Sequence, residues 1–322
     1  MKASHALITI AHMDLVLRAP WTVSVPVAFS RLLGSTGTNR AGRGFGRILM
    51  FHGTPAHQAA EIERQLCYLA AEFAIVSLEE MLRDAAQSNG SLSRKLSLTF
   101  DDGFRNNITV LYPLLAKLDI PATFFICPTL VDRGAWLWNH DMRQRLHSLS
   151  RPSRRSLAVK IGARSADVEA LVEWMKTLDL ASRLRVERRV REATHGFIPS
   201  AGECEEHDLA SWEELRRLDP RLVSIGSHTL THPILTTLTE AEAEVEIGES
   251  RRLIEKRLGR ACEFFCYPNG DISRFALECV RRHYRAALTV TSDWVKPGCD
   301  PHLVPRFHAP RGVLRLAWNI YP

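Results

Sequence analysis

The sequence predicts an α/β protein whose short strands pair in parallel, with a barrel of βα units as the arrangement that fits their count. Three observations carry this reading. Short apolar runs alternate with helical patterns of ten or more residues, a spacing that demands parallel pairing through right-handed crossovers. Several runs stop abruptly in acidic or histidine-bearing segments, as strands do at the open end of a barrel. The alternation breaks between about residues 139 and 220, which read as helical throughout and so as an insertion. An open, doubly wound sheet is the alternative.

Residues 1–46 read as an N-terminal extension and linker, the stretch 34–46 being rich in glycine and polar residues. Asp14, Arg18, Pro20 and Pro26 interrupt its apolar part, leaving no run of about 18 apolar residues to cross a bilayer. It also makes a poor secretory signal. A cytoplasmic protein is expected, with a peripheral membrane contact left open.

The folded unit, 47–322, opens with a strand over 47–51 and an amphipathic helix over 57–73. Ser77 and Glu80 stand in capping-box spacing for a second helix. A strand over 96–100 runs into Asp101, helical spacing covers 108–118, and Pro121 leads into a buried strand over 122–127. Later β-rich runs cover 222–226, 263–267 and 286–291, with helices over 239–258 and 273–283. Within the insertion, Ser165 and Ser211 are candidate caps, the latter boxed with Glu214. Its many arginines alternate with acids, which predicts solvated helix faces with intrahelical pairs; the sharper alternative is a basic cap that gathers an anionic carrier or lipid headgroup.

Composition narrows the function. A net charge of +6 over 322 residues is mild, and without a concentrated basic stripe it does not make a nucleic-acid binder. The seven cysteines form an odd, scattered set with no Cys-x-x-Cys pair, which predicts free thiols in a reducing compartment.

Four segments carry chemistry. In Thr99-Phe100-Asp101-Asp102-Gly103 an apolar strand ends in two adjacent acids, which repel when desolvated unless one meets a cation. Ser227-His228-Thr229-Leu230-Thr231-His232 follows another strand, and histidines four apart can grip one divalent ion. Among 13 histidines chance alone gives about half such a pair, so the spacing is weak by itself. With one carboxylate, however, two imidazoles leave a fourth position open on zinc, as catalytic sites require. Phe264-Phe265-Cys266-Tyr267-Pro268-Asn269-Gly270-Asp271 is a strand and turn whose backbone N–H groups near Tyr267 can face an oxyanion, and Val304-Pro305-Arg306-Phe307-His308 is a late strand ending in a candidate acid.

The stretch Leu96-Ser-Leu-Thr-Phe-Asp-Asp-Gly-Phe104, then Ile120-Pro-Ala-Thr-Phe-Phe125 and Ser227-His-Thr-Leu-Thr-His232, closely resembles the polysaccharide deacetylases of the NodB-homology type. Ile48-Leu-Met-Phe-His-Gly53 and Tyr267-Pro-Asn-Gly270 match the same family in order. The resemblance implies an irregular (β/α) barrel with fewer than eight strands. It also implies that Asp102, His228 and His232 hold a divalent metal, zinc before other transition metals, and that Asp101 is the general base. Tyr267, Pro268 and Asn269 would border the oxyanion, His52 and Trp294 would contact substrate, and His308 would protonate the leaving amine. Many relatives carry an arginine in the third motif, where this chain reads Phe265-Cys266-Tyr267; Arg306 is the candidate to replace it beside Asp101.

The implied activity is metal-dependent removal of an N-acetyl group from an N-acetylated sugar, free, polymeric or lipid-linked, with release of acetate. The competing readings are a degenerate barrel that only binds glycans, the same site on a small non-sugar amide, and a nucleic-acid surface on the arginine-rich insertion. The first is disfavoured by the complete Asp-Asp and His-x-x-x-His set.

Overall fold

The computed structural model describes residues 44–87 and 91–320; the expectations for the N-terminal extension therefore fall outside it up to residue 43. Among the described residues eight strands form one sheet: β1 (Arg47–Phe51), β2 (Ala74–Ile75), β3 (Lys95–Phe100), β4 (Ala122–Ile126), β5 (Val223–Ser227), β6 (Phe264–Cys266), β7 (Ala286–Leu288) and β8 (Phe307–His308). Seven follow one another in the order β7-β6-β5-β4-β3-β1-β8, all in parallel, and β2 hangs on β3 off this path. A parallel bridge between Leu288 and Val304 ties β7 to the segment that enters β8, so the sheet curls back towards itself. The result is an incomplete, irregular (β/α) barrel; the open doubly wound alternative is excluded.

Every residue of β1 and β4 is buried, as expected for strands covered on both faces. Side chains alternate across the sheet. Leu49, Leu98, Phe100, Phe124 and Ile225 belong to the large cluster shared with the surrounding helices, including Leu66 and Leu69 of α1 (Ala59–Glu72). Ile48, Phe125, Phe264, Cys266 and Leu288 form a second cluster with Leu78 and Met81 of α2 (Leu78–Ala86). Gly226 is fixed by this packing: a Cβ there would lie 2.4 Å from the Phe125 ring.

The remaining helices are α3 (Tyr112–Leu118), α4 (Pro128–Arg133), α5 (Trp138–Ser148), α6 (Arg151–Ile161), α7 (Val168–Lys176), α8 (Leu180–Ala193), α9 (Ala201–His207), α10 (Trp212–Arg216), α11 (Glu240–Glu244), α12 (Ser250–Leu258), α13 (Arg274–His283) and α14 (Val313–Ile320). Helices α5 to α8 share their own core around Met142, Leu171, Val172 and Val190. Most arginines of this region are paired, Arg143 with Glu169, Arg188 and Arg189 with Glu192, and Arg191 with Asp141 and Glu187, in line with solvated faces. No helix among the described residues is long and apolar enough to cross a membrane.

Several local expectations need correction. Ser77 accepts the Glu80 N–H, but the Glu80 carboxylate turns to Lys95 at 2.7 Å instead of closing the box. Asp167, not Ser165, caps α7, because its carboxylate reaches Ala170 N–H at 2.9 Å. Ser211 and Glu214 do form the full box. The helical pattern over 108–118 begins as a π turn, Asn107–Leu111, and that over 239–258 carries one at Val245–Glu249. The linker ends earlier than expected, since Gly46 already pairs with Val295.

Candidate active site

The acids sit where β3 ends. Asp101 and Asp102 are 2% and 5% exposed, so neither carboxylate is solvated in the ordinary way. Asp102 has φ +76° and Gly103 φ +75°, a left-handed pair that turns the chain sharply after the strand. A Cβ on Gly103 would press on Ile126, so glycine is required there for space as well as for φ.

The histidines follow β5 on a loop that is also strained. Thr229 and His232 have φ +66° and +58°, a conformation rare for a β-branched residue and characteristic of constrained sites. The loop is held from several sides. Thr229 Oγ1 accepts the His232 N–H at 3.0 Å, Trp138 Nε1 donates to the His232 carbonyl at 2.9 Å, and Glu246 accepts from Thr231 N–H and Oγ1 at 2.9 and 2.6 Å.

These loops converge. Asp102 Oδ1 lies 3.5 Å from His228 Nε2 and 3.4 Å from His232 Nε2, and donor atoms of the three fall within 4.8 Å of one another. His228 Nδ1 lies 2.7 Å from the Cys266 carbonyl, which fixes the proton on Nδ1 and leaves the Nε2 lone pair facing Asp102. Burial, reinforced by His228, holds His232 well below the usual histidine range, so its ring is neutral. Burial pushes Asp102 up, against the opposing pull of His52 and His228. A carboxyl group and two imidazoles, buried and convergent, are a donor set suited to a divalent transition ion.

Asp101 has a different partner. Burial would raise its pKa, but Arg306 more than offsets this and holds the carboxyl well below the usual range. The pair is a bidentate fork: Arg306 Nη1 and Nη2 donate to Asp101 Oδ1 and Oδ2, each at 2.8 Å. Arg306 is fully buried and is itself fixed by Thr99 Oγ1 at 3.0 Å and the Thr289 carbonyl at 2.9 Å. Cys266 fits between them, its Sγ 2.9 Å from Arg306 Nη2 and 3.4 Å from Asp101 Oδ2. The short cysteine side chain leaves room for a guanidinium arriving from the last strand. Its own thiol is pushed up by burial.

The other expected residues lie around this centre with different partners. His52 is exposed at the end of β1, and its ring centroid is 6.4 Å from that of His308. Both line a pocket of about 220 Å³, so His308 belongs to the rim. The Tyr267 N–H, expected to face the oxyanion, donates to the Leu288 carbonyl at 3.3 Å. Pro268 is buried in the turn after β6, and the Asn269 side chain is engaged by Lys176 of α7 at 3.3 Å. Trp294 packs edge-on against Phe307, partly buried against the main core.

Sequence reasoning misses Cys266 as a contact of the acid, Thr99 and Thr289 as supports of Arg306, and Glu246 and Trp138 as supports of the histidine loop. It also misses His140, which burial, helped by His207 and Arg143, holds down to about 3. The missing arginine of the third motif is the signal for Cys266; the others leave none.

The sequence profile of the polysaccharide deacetylases matches residues 89–286, more than half of the chain. The chain belongs to the polysaccharide deacetylase family. It is thereby a hydrolase of the carbohydrate N-deacetylase class, within a metal-dependent family. Among solved structures, the Streptococcus pyogenes deacetylase PplD, determined with acetate, is 16% identical with a TM-score of 0.59, covering 87% of this chain and 99% of its own. IcaB from Ammonifex degensii is 18% identical over the same shares, also at 0.59. The BpsB deacetylase domain from Bordetella bronchiseptica is 15% identical at 0.51, covering 82% of this chain and 96% of that one. At such identities these neighbours support the fold. No curated protein matches the sequence.

Proposed function

We propose that this polysaccharide deacetylase removes the acetyl group from an N-acetylated sugar by hydrolysis, with Asp101 as general base and Asp102, His228 and His232 as the ligands of a divalent metal, zinc foremost. The single observation that carries this is the segregation of two adjacent acids, one forked to Arg306 and the other facing two imidazoles. Once held there, a divalent ion supplies Lewis-acid polarisation of the amide carbonyl and acidifies water.

The chain's own groups do the rest. Asp101 takes up the proton of the water that attacks the acetamide carbon, and Arg306 keeps its carboxylate ionised and aimed. The Cys266 carbonyl orients His228, and Glu246 with Trp138 fixes the loop that presents His232. As the carbon–nitrogen bond breaks, the sugar amine must gain a proton. We assign its delivery to His308, next to His52 on the rim, and the products are acetate and a free amino sugar.

Acetate release from N-acetylated oligosaccharides tests the proposal. Chelation should abolish release and zinc should restore it. Release that persists after the metal is stripped would remove the metal-dependent reading.

A further inference from the structure

Among the described residues, one cluster of metal-ligating side chains shares no member with the acid–imidazole centre: Glu244, Cys279 and His283, whose donor atoms lie within 4.8 Å of one another. Cys279 and His283 are four apart on α13, so both side chains leave one face of that helix. Glu244, the last residue of α11, meets them from the neighbouring element. Its Oε1 lies 2.6 Å from His283 Nε2 and its Oε2 3.1 Å from Cys279 Sγ.

The fold holds this arrangement from behind. The π turn Val245–Glu249 begins at the residue after Glu244, and such turns shift the helical register locally. Within it Gly248 makes room for the imidazole, since a Cβ there would lie 3.0 Å from His283 Nε2. Arg251 of α12 donates to the His283 carbonyl and fixes the end of α13. Cys279 is buried, whereas the His283 and Glu244 side chains are 22% and 40% exposed, so an ion can enter from solvent.

The ligand types select the ion. Thiolate, imidazole and carboxylate together suit zinc, while magnesium and calcium take oxygen ligands. Around a tetrahedral ion with bonds of about 2.0–2.3 Å, such donors stand roughly 3.3–3.6 Å apart. The present spacings therefore need to open by less than ~1 Å, a movement that the part-exposed Glu244 carboxylate can supply. Arg282 Nη2, 2.5 Å from Glu244 Oε2, is the competing cation. Its side chain is 51% exposed, and an exposed ion pair of this kind adds little to stability.

We propose that Glu244, Cys279 and His283 form a second metal site, which takes one zinc-class ion with water as its fourth ligand and clamps α11 to α13. The protons that bridge the three groups pass to solvent as the ion binds. The site stands independently of the deacetylase reading.

Zinc and cobalt titrations of the full chain carrying Asp102→Asn test it, because that background lacks the carboxyl ligand of the acid–imidazole centre. One zinc should bind and raise the melting temperature, and cobalt should give the thiolate-to-cobalt charge-transfer absorption that a centre of acid and imidazoles lacks. In this background His283→Gln, on the part-exposed side, and independently Cys279→Ser should each weaken binding by more than about 100-fold, beyond the loss of an outer support, and abolish the absorption. An absorption that persists in Cys279→Ser, or zinc affinity unchanged in either variant, overturns the site. So does an Asp102→Asn chain that takes up no zinc. Zinc at the acid–imidazole centre is counted in His283→Gln, which keeps only that centre, so failure of one site is told apart from failure of the other.

Discussion

Asp101 and Asp102 are neighbours in sequence with opposite electrostatic surroundings, and this separates their expected variants. Asp101→Asn should keep metal affinity and lower kcat by about 10²–10⁴, the usual contribution of a general base. Asp102→Asn should lose the metal. Arg306 acts through Asp101 and is a positioning residue. Arg306→Ala leaves a buried carboxylate unpaired, which costs about 3–5 kcal/mol in stability. It should cut turnover far more than metal content, whereas Arg306→Lys restores charge without the fork and should recover stability better than rate. Unchanged turnover in Arg306→Ala, measured with metal analysis and thermal melts, would dismiss the role. The acids and histidines are legible in the sequence because each pair is local. Arg306 is legible only through the arginine missing near Cys266, since Asp101 and Arg306 are 205 positions apart.

The elements that present these residues are short, and their lengths set what the sequence can show. Strands of five or six residues such as β1, β3 and β4 are readable to within a residue, because apolar runs bounded by turns are distinctive. The two-residue strand β2 has no period to detect, and β8 is read only as the end of a late strand. Glu246 escapes for a similar reason: it lies on the π turn Val245–Glu249, where the helical register shifts. Its removal tests the loop. Glu246→Ala should weaken metal binding by about 10–100-fold, as losing an outer support usually does, with folding retained; full metal affinity in a titration would contradict this. In β5, Gly226→Ala should destabilise by about 1–3 kcal/mol through overpacking against Phe125, and a melt as stable as wild type would show that the barrel interior yields.

Across the whole molecule, the barrel brings together β3, β5, β6 and the approach to β8, and helices α5 to α8 brace the same loops from outside through Trp138 and Lys176. How they lean on the site is not legible in the sequence, because an amphipathic helix announces its buried face but not its partner. Their contact has a pH consequence. His140 titrates at about 3 when folded and near 6.5 when the chain is unfolded, so below about 6.5 the unfolded chain binds a proton the folded chain does not. Stability should therefore fall as pH drops from about 6.5 towards 3. His140→Gln should flatten that slope in urea titrations, and an unaltered slope would place the proton uptake elsewhere. The most direct test of the central assignment is zinc binding and acetate release measured side by side for Asp101→Asn and Asp102→Asn. A chain that keeps its zinc but releases no acetate in the first case, and loses both in the second, is predicted. Full zinc affinity in Asp102→Asn, or wild-type acetate release by Asp101→Asn, would contradict it.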